Sequence, residues 1–165
     1  MAKRGDIVVM DTNAIIECFR LKCWRPLSGA FGIETTNECA VECATGNRSR
    51  KDYTEIDVEL VRASAQVHAV PRDAIAAVRL RLGVLPDIDP GEAEILALML
   101  AEPGARLVYS PDKACLRGLH ILGMIDRAVA LEELGNLAGL RLDWRPNFTK
   151  RWLNSYCGTL ILDSL

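Results

Sequence analysis

The apolar positions of the chain come in short runs, each followed by polar residues and then by a segment with helical spacing. The first run is Ile7-Val8-Val9-Met10, and it leads into Asp11-Thr12-Asn13. A strand without polar alternation is typical of a parallel sheet that helices cover on both faces. Ligands bind outside the carboxyl ends of such strands, where Asp11 would lie. An equally simple interpretation makes Asp11 the N-cap of the first helix.

The same strand-turn-helix order recurs along the chain. Strands are predicted over residues 31–36 and 106–110, both with polar ends, and a short last strand over residues 128–131. Apolar spacing predicts helices over residues 14–21, 37–44, 57–68, 72–82, 91–100 and 113–122, with a further helix through Leu137. This order predicts an α/β fold with three layers, α/β/α, around a mainly parallel central sheet.

The C-terminal region departs from this order. Trp144, Phe148, Trp152 and Tyr156 recur every four residues, and the last three fit one face of a helix that begins near Pro146. The apolar residues 159–162 are interpreted as a short strand or an extended arm. We expect this tail to pack against its own domain, with a homodimer contact as the alternative.

Composition limits the classes of protein that the chain can represent. With 165 residues, half of them apolar, it fits one globular domain over residues 1–165, with a core at 6–140 and an extension at 141–165. The absence of a signal-peptide core or a membrane-spanning run predicts a cytoplasmic protein, whose six cysteines would be free thiols. A net charge of -2 argues against a protein coated with nucleic acid, but not against an acidic site that handles it locally.

Carboxylates stand at several predicted strand ends and helix starts. Glu38 and Glu42 lie one turn apart on a helix, which is unfavourable unless a cation is near, although an exposed acidic stripe is the alternative. Glu92 begins a helix that is apolar nearly all round, and Asp112 follows a strand. Clustered carboxylates favour hard cations such as Mg²⁺ and Mn²⁺, which can activate water and stabilise charge on a phosphate. The pattern therefore predicts a magnesium or manganese pocket.

Four segments, in this order, resemble the PIN-domain family of metal-dependent ribonucleases. Residues 8–13 are similar to the family's opening strand with its Asp-Thr-Asn, and residues 35–42 to the segment that ends in a second acid. Gly-Glu-Ala-Glu at 91–94 resembles the start of the third acidic helix. Ser-Pro-Asp at 110–112 stands where the family has a Thr-x-Asp step. The resemblance covers residues 6–131, and the tail has no counterpart in the smallest members.

The resemblance implies catalytic and metal-binding roles for four acids, which are Asp11, Glu42, Glu92 and Asp112. It implies supporting roles for Thr12, Asn13 and Ser110, and leaves Glu38 and Glu94 as less certain members, with Glu94 competing with Glu92.

By this resemblance the protein would be a Mg²⁺- or Mn²⁺-dependent endoribonuclease acting on RNA. A toxin role, with a small antitoxin protein as partner, is a further hypothesis. The alternative is a catalytically weak or inactive PIN-like module that binds RNA or protein, which the modest charge, the Ser-Pro-Asp step and the aromatic tail favour.

Overall fold

A computed structural model of the protein describes residues 1–45, 53–83, 88–101, 104 and 106–163. Its sheet consists of β1 (Ile7–Met10), β2 (Gly32–Thr36), β3 (Ala65–His68) and β4 (Leu107–Tyr109), in the spatial order β3-β2-β1-β4. Each neighbouring pair is parallel, and β1 lies between β2 and β4, with Val8 opposite Ile33 on one side and Leu107 on the other.

Helices connect and cover these strands. They are α1 (Thr12–Arg20), α2 (Trp24–Ala30), α3 (Asn37–Thr45), α4 (Val58–Ser64), α5 (Arg72–Leu82), α6 (Pro90–Ala101), α7 (Lys113–Ile121), α8 (Leu131–Leu137) and α9 (Lys150–Leu162). Short 3₁₀ helices occupy Ile125–Arg127 and Pro146–Phe148. None of the helices in the described ranges is long and apolar enough to cross a membrane.

The two faces of the sheet carry separate apolar clusters. Val8 and Met10 on β1 pack into a cluster with residues of α1, α2 and α8, whereas Val9 packs into a cluster with residues of α5, α6 and α7. All three side chains are fully buried, which stabilises the fold by about 1.5–3 kcal/mol for each side chain of this size. The predicted three-layer α/β/α fold with a parallel sheet is therefore confirmed.

Two predicted elements, over residues 57–68 and 128–131, are wrong. The helix predicted over residues 57–68 ends at Ser64, and Ala65–His68 instead forms the edge strand β3, paired with β2 from Ile33 to Thr36. The backbone groups on one side of this segment pair with β2, a partner that local spacing does not reveal. The strand predicted over residues 128–131 is reduced to one parallel bridge between Ala128 and Val108, because α8 begins at Leu131.

The last helix of the tail, α9, continues to Leu162. The predicted helix starts as the 3₁₀ turn at Pro146 and continues as α9, so the strand or extended arm predicted over residues 159–162 is wrong. Leu153 is buried, and Trp152, Tyr156 and Leu160 pack against the same cluster as α5, α6 and α7. The described part of the tail thus packs on the rest of the chain, as predicted. The cysteines are also free, as expected.

A buried ionic group crosses the sheet. Glu34 on β2 is 4% exposed, and its carboxylate accepts a hydrogen bond of 2.6 Å from Nε of Arg106, which directly precedes β4. Nε2 of His68, at the end of β3, lies 3.0 Å from the same oxygen. A carboxylate at this depth requires such partners, because an unpaired buried charge is costly.

Candidate functional site

The carboxyl ends of the strands surround a small polar cavity. It has a volume of about 30 Å³ and is lined by Asp11, Thr12, Asn13, Cys39, Glu42, Asp89, Gly91, Glu92 and Asp112. This volume holds one water molecule or ion. The four acids that the sequence singles out as metal ligands all line this one cavity, which we call the acidic cavity. They come from four separate segments of the chain.

Asp11 combines the two roles that the sequence left open. It directly follows β1, and its Oδ1 accepts a hydrogen bond of 2.7 Å from the backbone N–H of Ala14, so it caps α1. Its Oδ2 accepts a bond of 2.6 Å from the Ser110 hydroxyl. Burial nevertheless raises the pKa of Asp11 to about 7, with smaller contributions from the charges of Asp112 and Asp89. Two hydrogen bonds therefore fix the position of the carboxylate, although burial makes its ionised form unfavourable.

Ser110 and Asp112 form a compact turn after β4. Ser110 is 1% exposed, and its hydroxyl oxygen accepts a hydrogen bond of 3.1 Å from the backbone N–H of Asp112. Asp112 in turn caps α7 by accepting a bond of 2.7 Å from the N–H of Ala114. Pro111 lacks an N–H donor, so the donor in this turn comes from the residue after it.

Glu92 is oriented by a residue that the sequence analysis missed. The backbone N–H of Glu92 donates to Oδ1 of Asp89 at 2.7 Å, and the N–H of Asp89 donates to Oε2 of Glu92 at 3.1 Å. This reciprocal pair is a capping box at the start of α6. The sequence Asp-Pro-Gly-Glu carries its signal, an N-cap residue followed by proline at the first helical position and by glutamate at the third.

Glu42 reaches the cavity from α3 and is held by a hydrogen bond from Thr12. Its Oε2 accepts a short hydrogen bond from the hydroxyl of Thr12, the residue after Asp11. A Cβ atom on Gly91 would lie 3.5 Å from Oε1 of Glu42 and 3.5 Å from Sγ of Cys39. Gly91 and Cys39, neither of which the sequence singled out, therefore limit the width of the acidic cavity.

Glu38 and Glu94 lie outside this cavity. Oε2 of Glu94 accepts a hydrogen bond of 3.1 Å from the backbone N–H of Glu38, in the first turn of α3. A carboxylate at this position is favourable, because the first N–H groups of a helix have no partner within the helix. The sequence offered both glutamates as the third metal ligand. Glu92 lines the cavity, whereas Glu94 accepts a hydrogen bond in the first turn of α3.

The cavity is electrostatically suited to a cation. Burial, followed by a hydrogen bond to the carboxyl of Asp112, raises the pKa of Glu92 to about 8. None of the described lining residues is basic, so nothing among them offsets the five carboxylates. Within the described ranges, no group of three or more His, Cys, Asp or Glu side chains already stands in an arrangement that could hold a metal ion.

Comparison of the chain with protein-family models and with curated proteins found no match.

Proposed function

We propose that the protein is a magnesium- or manganese-dependent endoribonuclease of the PIN type, which hydrolyses RNA phosphodiester bonds at the acidic cavity. The observation that supports this proposal is the meeting of Asp11, Glu42, Glu92 and Asp112 around a space of about 30 Å³. Five carboxylates so close together, with Asp89 as the fifth, repel one another unless protons or cations neutralise them.

The donor set fits a hard divalent cation. Carboxylate oxygens are the ligands that Mg²⁺ and Mn²⁺ prefer, and the four acids would hold the ion directly or through water. When bound, such an ion supplies an activated water and neutralises charge on the phosphate.

Hydrogen bonds within the chain orient three of these carboxylates. Ser110 orients Asp11, Thr12 orients Glu42, and the backbone N–H of Asp89 orients Glu92. Asn13, on the exposed edge of the cavity, would contribute an amide donor towards the substrate.

The decisive experiment compares RNA cleavage by the wild type and by Asp11→Asn, with and without Mn²⁺. We expect metal-dependent cleavage by the wild type and its loss in Asp11→Asn. Asp126→Asn removes an exposed carboxylate elsewhere and serves as the matched control. Circular dichroism checks that each variant is folded. Equal metal-dependent cleavage by the wild type and Asp11→Asn contradicts the proposal.

The second candidate function is a PIN-like module that binds RNA or protein without catalysis. It is favoured by the modest net charge of -2, by the Ser-Pro-Asp step at 110–112 and by the aromatic residues of the C-terminal tail. Thermal unfolding with Mn²⁺ separates the two candidates, because a ligand that binds only the folded state raises the melting temperature. A shift in the wild type but not in Asp11→Asn supports the nuclease, and no shift at millimolar Mn²⁺ supports the module.

A toxin role in the cytoplasm, controlled by a small antitoxin protein, extends the nuclease proposal. It is tested by expressing the wild type and Asp11→Asn in a bacterial host, since a ribonuclease toxin arrests growth only when its site is intact. Co-purification from the native host identifies a small partner. Growth without arrest, together with no small partner, contradicts this role. Light scattering separately tests the homodimer.

A further inference from the structure

A second, larger cavity adjoins the acidic cavity. Its volume is about 230 Å³, and Asn13 and Asp112 belong to the walls of both cavities. The rest of its wall includes Glu17 and Phe148, which are buried, and Arg145 and Asn147 from the C-terminal region. Because the two cavities share residues, a polymer with one phosphate at the acidic cavity would place an adjoining group in the larger one.

The buried acid of the larger cavity is already neutralised. Glu17 is 0% exposed, and Arg20, one turn later on α1, donates two hydrogen bonds to it, from Nε at 2.7 Å and from Nη2 at 2.5 Å. This contact raises the pKa of Arg20 and keeps its guanidinium charged. The Glu17 carboxylate therefore has a dedicated cation and does not require a second one.

Arg145 is the second cation beside this acid. Its backbone N–H donates to Oε1 of Glu17 at 3.3 Å, and its Nε lies 3.7 Å from Oε2, an ion-pair contact that is too long for a hydrogen bond. The Arg145 side chain is 44% exposed. With Glu17 paired to Arg20, the guanidinium of Arg145 adds a positive charge to the wall of the larger cavity.

Asn147 and Phe148, which line the larger cavity, contact β4, the strand that leads to Ser110 and Asp112. The Tyr109 hydroxyl donates a hydrogen bond of 3.0 Å to the backbone carbonyl of Asn147, and the rings of Tyr109 and Phe148 lie 5.8 Å apart. Tyr109 is the last residue of β4 and directly precedes Ser110. The core thus sets the position of Arg145 and Asn147 relative to Asp11 and Asp112.

We propose that the larger cavity is a subsite for the nucleotide next to the cleaved phosphodiester, in which Arg145 binds that nucleotide's phosphate. A guanidinium matches a phosphate because it can donate two parallel hydrogen bonds. The amides of Asn13 and Asn147 supply donors and acceptors for the sugar or base, and Phe148 supplies an apolar surface. The subsite rests on the proposed action on RNA, and it gives the C-terminal extension a part in substrate binding.

The test measures RNA binding with the cleavage chemistry removed. All variants carry Asp11→Asn, and the probe is a short, fluorescein-labelled single-stranded RNA of mixed sequence, titrated in EDTA and followed by anisotropy. We expect Arg145→Ala to raise the Kd about tenfold, the loss of one charged hydrogen-bonding contact. We also expect the slope of log affinity against log salt to become shallower by about 0.7, the value for one phosphate contact on a single strand.

Two further variants control for charge and folding. Arg141→Ala removes an exposed arginine that does not line the cavity, and we expect its Kd to match that of the parent. Arg145→Lys retains the charge, so we expect the salt slope of the parent with weaker binding. Since Glu17 keeps both bonds from Arg20, Arg145→Ala should fold, and thermal unfolding checks this.

The subsite is overturned if Arg145→Ala and Arg141→Ala have the same Kd, or if the parent does not bind the RNA. The proposed nuclease fails on a different result, the absence of metal-dependent cleavage by the wild type. Where cleavage occurs, Arg145→Ala in the otherwise wild-type chain should raise KM more than it lowers kcat, because Arg145 binds away from the reacting phosphate.

Discussion

The hydroxyl of Ser110 donates a hydrogen bond of 2.6 Å to the carboxylate of Asp11, although the two residues are 99 positions apart in the sequence. They follow adjacent parallel strands, and the backbone N–H of Asp11 also donates to the carbonyl of Tyr109. The bond therefore couples the register of the sheet to the orientation of Asp11, one of the two buried acids of the acidic cavity.

Replacing Ser110 should change the ionisation of Asp11. The serine hydroxyl stabilises the charged carboxylate, so Ser110→Ala should raise the pKa of Asp11 above its value of about 7. At a pH where Asp11 is ionised, the free energy of unfolding should fall by about 1–3 kcal/mol. Titration of the Asp11 carboxyl carbon by NMR and urea unfolding measure the two effects. Ser110→Thr retains the donor as a control, and an unchanged Asp11 pKa in Ser110→Ala contradicts the coupling.

The metal-free protein should lose stability as the pH rises. Burial raises the pKa of Asp11 from 3.8 to about 7 and that of Glu92 from 4.5 to about 8, so between these limits the folded state binds more protons than the unfolded state. The stability from these groups is thus complete below the unfolded pKa values and is lost as the pH rises through the folded ones.

Thermal unfolding across this pH range in EDTA measures that loss, and Asp11→Asn should reduce it because Asn does not titrate. Mn²⁺ binds the ionised carboxylates, so its stabilising effect should increase over the same range. The contrary result is a melting temperature that rises from acid to neutral pH in the wild type, with an equal or smaller rise in Asp11→Asn.

Glu92 and Glu94 should respond differently to the same substitution. Glu92→Gln removes a carboxylate from the acidic cavity, so we expect it to weaken Mn²⁺ binding by at least about tenfold. Glu94→Gln keeps an oxygen that can accept from the Glu38 N–H, so we expect unchanged Mn²⁺ affinity and a stability loss of about 0.5 kcal/mol. Calorimetric titration and urea unfolding separate the effects, and equal losses of affinity in both variants contradict the assignment.

Gly91→Ala should reduce cation binding without unfolding the protein. The added methyl would lie 3.5 Å from the Cys39 sulfur and from oxygens of Asp89 and Glu42, an ordinary contact distance that occupies part of the cavity. Alanine favours a helix over glycine by about 1 kcal/mol, which offsets the crowding. Gly29→Ala, in α2 with nothing within 4 Å of the new methyl, is the control for this helix effect. Unchanged Mn²⁺ affinity in Gly91→Ala contradicts the prediction.

The layer arrangement was predictable from local pattern. The run Ile7–Met10 indicates a strand buried on both faces, and Val8 and Val9 do enter opposite clusters. Strand β3 was not predictable in this way. Its four residues continue the helical spacing of α4, and the strand forms because the free edge of β2 supplies its hydrogen-bonding partner.

The acidic cavity, too, was predictable only in part from local pattern. The positions of Asp11 and Asp112, at strand ends and helix starts, follow from the order of elements. Which of the two glutamates lines the cavity depends on the donor that each carboxylate meets. Glu92 accepts a hydrogen bond from the N–H of Asp89, whereas Glu94 accepts one from the N–H of Glu38. The metal-binding role of these acids stays a prediction.

By itself the sequence determined the α/β order, the parallel sheet and the acids at its carboxyl edge, because apolar runs and capping residues act over a few neighbouring positions. Only the tertiary structure decided that Asp89 joins those acids, that residues 159–162 remain helical, and that Arg145 lies beside Glu17. These relations depend on hydrogen bonds and packing between distant segments, and local patterns do not specify the partners of such contacts.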